Sequence, residues 1–375
     1  MKKERNSNYE LLRIVSMFFI VLYHTILHGK VLENCVNPGL KAVLEIIMLI
    51  LVVHVNSYVL ISGYFQSTSE FKQSKLWSII TANWFYKNII TIVFLYLGLE
   101  TLSKNVIFTN LFPLNLKGYW FINPYLIIYC LSPYLNKLIN VLTQKEYKNL
   151  ITILLVILSV FPYLTGNQVY SNDGFTLYNF VILYLIGGYI RKYPLRDSYI
   201  FKRMSDNLYQ VVTIVIFIMC VIVNFAFKEA AETAIIDDSL FKTFGQYIST
   251  MTFKYSNPII IVQSVMYLSF FGTLNLKSKF INYISRLTLG VYFIHDNDYV
   301  RATIYKFLKV ENPIIDSYNI IIYVIAIAIL IFIACLIIEA IRQLLFALIS
   351  KLKIAKKIRE SYYNYINNIK VLENT

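Results

Sequence analysis

The chain has 375 residues, 57% of them hydrophobic and only 15% charged, against about 25% charged in an average soluble domain. This excludes an ordinary soluble domain and predicts an all-α integral membrane protein. A formal net charge of +14 would suit a nucleic-acid binder, but the basic residues are spread between apolar runs and form no patch, so no nucleic-acid partner is expected.

Cys35, Cys130, Cys220 and Cys335 contain no C-x-x-C pair and three lie inside apolar runs, which speaks against a disulfide framework or a zinc site. With four histidines in the whole chain, a histidine metal cluster is not expected.

The first apolar run, 9–28, has no small-residue cleavage site after it and reads as a retained helix. It carries Arg13 and, 11 residues on, His24. At about 100° and 1.5 Å per residue the two share one face and stand about 16 Å apart along the axis. Glu10, Met17 and Ile20 fall on the same side, with Ser16 at its edge. Ionisable groups are costly in a bilayer, so such a helix marks a functional cavity.

Nine further runs of membrane-spanning length follow: 40–64, 76–98, 118–140, 149–166, 174–192, 209–227, 255–275, 281–306 and 318–350. They are continuously apolar without period-2 alternation, so a β-barrel is excluded and a bundle of about ten transmembrane helices is predicted. The second run holds Glu45 near one end and His54, followed by Asn56, Ser57, Ser62 and Gly63. A helix-packing role suits that cluster best. The third holds Asn83, Lys87 and Asn88, and the fourth opens with Trp120, Phe121 and Asn123, where a Trp more often anchors the interface than touches a ligand.

The longest non-spanning piece is Lys228–Lys254, with Glu229, Glu232, Asp237 and Asp238. In the ninth run His295, Asp296, Asn297 and Asp298 are consecutive and face every side of a helix. Either that helix is buried all round, or it breaks beside a water-filled cavity. After a domain spanning 7–350, residues 351–375 form a basic tail with interleaved apolar positions, read as a solvated or interfacial cytoplasmic segment. With ten spans both termini share a side. That side collects 22 Lys and Arg against nine on the other, with Arg13, Lys87, Arg286 and Arg301 inside helices. The positive-inside rule then predicts N-in and C-in, with Arg13 near the cytoplasmic face and His24 and His295 in the outer half.

The opening SNYELLRIVSMFFIVLYHT resembles that of the membrane acyltransferase-3 family, bacterial O-acyltransferases of polysaccharides and cell-wall glycans. The family's Arg-x10-His signature falls on Arg13 and His24. VNSYVLISGYF (within 53–65), GYWFINPYLIIYCLSPYLN (118–136) and TLGVYFIHDNDYVR (288–301) resemble later family segments in the same order. Many members carry Arg-x-x-Arg before the third helix for the acyl donor. Here FKQSKLW puts Lys72 and Lys75 at that spacing, and lysine lacks arginine's bidentate fork.

The resemblance implies an acyltransferase in the bacterial plasma membrane. It would take acetyl-CoA, or another acyl-CoA, from the cytoplasm as co-substrate and a glycan or lipid-linked glycan as acceptor. No tightly bound cofactor and no metal are expected. Arg13, Lys72, Lys75 and Lys87 would hold the donor. His24 would act as general base or nucleophile, with Arg13, His295 and Asp296 completing the catalytic set and Trp120, Tyr292, Asp298 and Arg301 facing the acceptor. A transporter or flippase of a lipid-linked glycan is the alternative, with Arg13, Lys87 and His24 lining its pathway. It would favour broken helices in two related halves, and no such repeat is visible. A sensor or scaffold without chemistry leaves the burial of Arg13 and His24 unexplained.

Overall fold

The computed structural model describes residues 5–112, 119–165, 172–236, 242–312 and 314–351. In chain order the helices are α1 (Ser7–His28), α2 (Pro38–Leu51), α3 (His54–Gln66), α4 (Gln73–Tyr96), α5 (Lys104–Leu111), α6 (Ile122–Val141), α7 (Gln144–Leu155), α8 (Phe161–Thr165), α9 (Leu177–Lys192), α10 (Asp206–Ile236), α11 (Lys242–Met251), α12 (Pro258–Thr273), α13 (Lys279–His295), α14 (Asp298–Phe307) and α15 (Asn319–Ile349). A π-turn, Val156–Val160, joins α7 to α8. Among the described residues there is no strand, only an isolated bridge from Cys35 to Ile315.

Each of the ten predicted runs falls on helix. Six helical stretches among the described residues are long and apolar enough to cross a membrane by themselves: Ser7–His28, Pro38–Gln66, Gln73–Tyr96, Gln144–Thr165, Asp206–Thr233 and Asn319–Ile349. The other predicted runs fall on shorter or more polar helices. α9 and α12 have 16 residues each, about 24 Å at 1.5 Å per residue, less than a bilayer core of about 30 Å. α9 and α12 are mostly buried in protein, whereas α10 and α15 present Ile222, Ile322 and Leu344 outward. That exposed apolar surface is what a multi-pass membrane protein requires.

The predicted ninth run is not one helix. α13 ends at His295, Asp296 turns the chain, and Asn297 caps α14 by accepting from the Tyr299 amide at 3.1 Å. The predicted Lys228–Lys254 loop is largely the end of α10 and α11, and Lys228 is buried against Glu45 of α2 at 2.9 Å and Glu232 at 2.9 Å. Asp237, Asp238, Gly118 and the tail from residue 352 lie outside the described residues.

α1 is the central helix, packed on α2, α3, α12, α13, α14 and α15. Its start is tied down at several points. The Asn6 side chain caps it by accepting from the Asn8 amide at 3.1 Å, the Asn8 side chain donates to the Leu274 carbonyl and accepts from the Leu276 amide, and the Ser7 hydroxyl accepts from the Ser278 amide at 3.0 Å. Those bonds hold α1 beside the start of α13, so the two helices run together and bring their far ends to one place. α3 and α9 approach closely through glycines. A Cβ on Gly63 would overlap the Tyr184 carbonyl, and one on Gly187 the Leu60 carbonyl.

Candidate functional site

The helical period of α1 decides what it presents. Glu10, Arg13, Met17, Ile20 and His24 all line one cavity of about 350 Å³, as their spacing predicts. The opposite walls come from α3 (His54, Tyr58, Ser62), from Trp120 and Tyr125, and from Thr288 and Tyr292 of α13.

One end of the cavity is cationic: Arg5, Arg13, Lys75 and Arg286 line it around the buried carboxylate of Glu10. Glu10 accepts from Arg13 at 2.7 Å, from Arg5 at 3.4 Å and from the Ser285 hydroxyl. The Tyr58 hydroxyl donates to the Arg13 carbonyl at 2.7 Å. Arg13 and Arg5 remain partly exposed, so their remaining N–H groups can meet an anion.

The other end holds His24, whose Nδ1 lies 3.2 Å from Nε2 of His295. Nδ1 of His295 stands 2.7 Å from the Val291 carbonyl. A carbonyl accepts only, so that nitrogen carries the hydrogen, and in the neutral ring Nε2 of His295 is bare. Nδ1–H of His24 therefore donates to it, with Oδ1 of Asp296 a further 3.5 Å neighbour. The network assigns the tautomer and leaves Nε2 of His24 as its basic nitrogen.

Asp296 belongs to a second, smaller space. Its Oδ1 accepts from Arg301 at 2.9 Å, and the other arm of the same guanidinium donates to Asp298 at 2.6 Å. Lys87, Tyr119, Trp120, Asn297 and these three residues surround a polar pocket of about 170 Å³. Trp120 lines both spaces and stacks on Tyr255, with centroids 5.8 Å apart.

The predicted residues thus divide. Arg13, His24, Lys75, Trp120 and Tyr292 line the main cavity, and His295 is buried behind His24. Asp296, Asp298, Arg301 and Lys87 line the second pocket, which separates Lys87 from Arg13 and Lys75, its expected companions on the donor. Lys72 lines neither; it precedes α4, and its backbone N–H and carbonyl both bond the Tyr129 hydroxyl.

Sequence reasoning passed over Arg5, Arg286, Ser285 and Tyr255, and read His54 as packing. His54 is buried, with Nδ1 2.6 Å from the Leu51 carbonyl and Nε2 3.3 Å from the Tyr255 hydroxyl, yet it also lines the cavity. Arg286 was visible as an ionisable residue within a span. The sequence, which offered no histidine metal cluster by composition, also did not show that the histidines meet. His24, His28 and His295 converge, and ligand atoms of His24, His28 and Asp296 lie within 4.8 Å of one another.

A family model described as an acyltransferase domain matches residues 6–340. No curated protein and no solved structure matches the chain.

Proposed function

Because this chain belongs to the acyltransferase family whose model spans residues 6–340, we propose that it moves an acetyl or other short acyl group from cytoplasmic acyl-CoA to a hydroxyl of a surface or cell-wall glycan. The observation that carries this reading is His24, held in one tautomer by His295 at one end of a cavity whose other end is cationic.

Ten spans with both termini in the cytoplasm of a bacterial cell would put the cationic end inside. Arg5, Arg13, Lys75 and Arg286 then meet the phosphates of the donor through charge-assisted bonds. The roughly 16 Å from Arg13 to His24 suits an extended pantetheine arm, which would bring the thioester to His24.

The acceptor enters from the second pocket. Trp120 offers a stacking face, and Asp298, Arg301 and Lys87 offer acceptors and donors for hydroxyls. Nε2 of His24 takes the proton of the acceptor hydroxyl while its oxygen attacks the thioester carbonyl. Collapse of the tetrahedral intermediate breaks the carbon–sulfur bond, and the proton passes from His24 to the departing thiolate. Asp296 and the bare nitrogen of His295 both face Nδ1–H and favour the imidazolium formed between these steps. Tyr292 lines the same end and can face the developing oxyanion.

The test is the O-acetyl content of the host's purified surface glycans, read by NMR before and after mild alkali. A deletion strain is compared with complements carrying wild type or His24→Ala at equal membrane levels. O-acetyl signals are expected to vanish in the deletion and return only with wild type. An unchanged acyl pattern with less glycan at the surface overturns the proposal in favour of transport.

A further inference from the structure

We propose that His24, His28 and Asp296 form a binding site for a divalent transition metal of the zinc class, and that its occupancy takes His24 out of use as a base. His24 and His28 stand one turn apart on α1, a spacing that puts two imidazoles on one helix face, and their ring centroids are 5.0 Å apart. The carboxylate comes from the break between α13 and α14. One ligand atom from each of the three lies within 4.8 Å of the other two.

Zinc at about 2.0–2.1 Å from nitrogen in a tetrahedral site sets its ligand atoms about 3.4 Å apart. Nδ1 of His24 is already 3.5 Å from Oδ1 of Asp296, and the ligand atoms of all three residues lie within 4.8 Å of one another. Closing the set therefore requires side-chain rotation, not movement of helices.

The donor chemistry matches as well. Imidazoles with a carboxylate suit zinc, cobalt or nickel, whereas magnesium and calcium want oxygen shells. A metal-binding histidine usually donates its second ring N–H to a nearby acceptor, and with Nε2 as its ligand atom His24 has Nε2 of His295 at 3.2 Å from Nδ1 for that bond. Arg301 donates to the Asp296 carboxylate at 2.9 Å, on the same Oδ1 that faces His24. Its positive charge opposes a dication and weakens the site, so that it fills and empties reversibly.

Occupancy blocks His24 through either nitrogen. Ligation by Nε2 uses the lone pair that would take the acceptor's proton. Ligation by Nδ1 moves the ring hydrogen to Nε2 and removes the lone pair there. The site itself stands on geometry; its consequence for acyl transfer rests on the function proposed above.

The experiment is a Co²⁺ titration of the full-length protein in detergent after treatment with a chelator, followed by visible absorption. Wild type is expected to bind one Co²⁺ per chain, displaced by Zn²⁺. His28→Ala and the size-conserving His28→Gln should each weaken that binding by about 10-fold or more while eluting as wild type does on size exclusion. Zn²⁺ should slow acyl transfer by wild type, reversibly with chelator, and leave transfer by His28→Ala unaffected. No Co²⁺ absorption with folded wild type, or binding unchanged in both His28 variants, overturns the site. Transfer by wild type that ignores Zn²⁺ at saturating occupancy overturns the block on His24. The titration needs neither donor nor acceptor, so a failure of the acyl-transfer reading stays distinguishable from a failure of the site.

Discussion

Nε2 of His295 accepts the Nδ1 hydrogen of His24 at 3.2 Å, between residues separated by 271 positions in the chain. The Val291 carbonyl, 2.7 Å from Nδ1 of His295, fixes the direction of both bonds. His295 is therefore a positioning residue for His24. His295→Ala should lower kcat by about 100-fold, the smaller end of what a well-placed general base contributes, with little change in KM for acyl-CoA. His295→Gln keeps an acceptor near Nδ1 and should recover part of the loss. Steady-state transfer in washed membranes checks this, and a change confined to KM would count against it.

The donor mouth makes a separate prediction. Arg5 and Arg286 line the cavity beside Arg13, whereas Lys72 lies outside it. Arg5→Ala and Arg286→Ala should each raise the KM for acyl-CoA by about fivefold, the equivalent of about 1 kcal/mol of charge-assisted contact. The increase should shrink at high salt. Lys72→Ala should leave KM near wild type. An effect of Lys72→Ala as large as that of Arg5→Ala would place the phosphates elsewhere.

Arg301 bridges Asp296 at 2.9 Å and Asp298 at 2.6 Å. Asp296 is buried while Arg301 keeps 33% of its side chain exposed. Arg301→Ala should therefore cost on the order of 2 kcal/mol, below the ~3–5 kcal/mol of a fully buried broken pair. Arg301→Lys restores the charge without the fork and should fall between. Thermal melting in detergent gives the stabilities, and acceptor KM the effect on the pocket. Equal melting of all three proteins would show the bridge to be without energetic weight.

The contact of α3 with α9 leaves no room for side chains at Gly63 and Gly187, each of which faces a backbone carbonyl. Gly63→Ala and Gly187→Ala should each destabilise by about 1–3 kcal/mol, the usual range for overpacking. At Gly39 a new methyl would meet only the mobile end of Tyr318 and the Asn37 side chain. Gly39→Ala should therefore melt close to wild type, and a fall there as large as at Gly63 would contradict the packing argument.

Much of the fold follows from local physics. Continuous apolar runs have to be helices in lipid, and among the described residues each of the ten predicted runs overlaps helix, with six helical stretches long and apolar enough to cross by themselves. The face of α1 that carries Glu10, Arg13, Met17, Ile20 and His24 is set by the 100° period alone, and it is the cavity wall. The break at Asp296 was one of the two readings that four consecutive polar residues allowed, the other being a helix buried all round, and the structure takes the break.

What the chain order could not show is which faces meet. Lys75 and Lys87 share α4 and looked like one donor-binding group. Their 12-residue separation turns them by about 120° and sets them about 18 Å apart along the axis, so they open on different spaces. The pairing of His24 with His295, and the gathering of three of the four histidines around Asp296, depend on α1 lying against α13. That contact is decided by long-range packing and by the bonds of Ser7 and Asn8 to the α12–α13 link. Hydrophobic periodicity specifies the inward face of a helix but not the partner it will meet, and so the assembled site belongs to the tertiary structure.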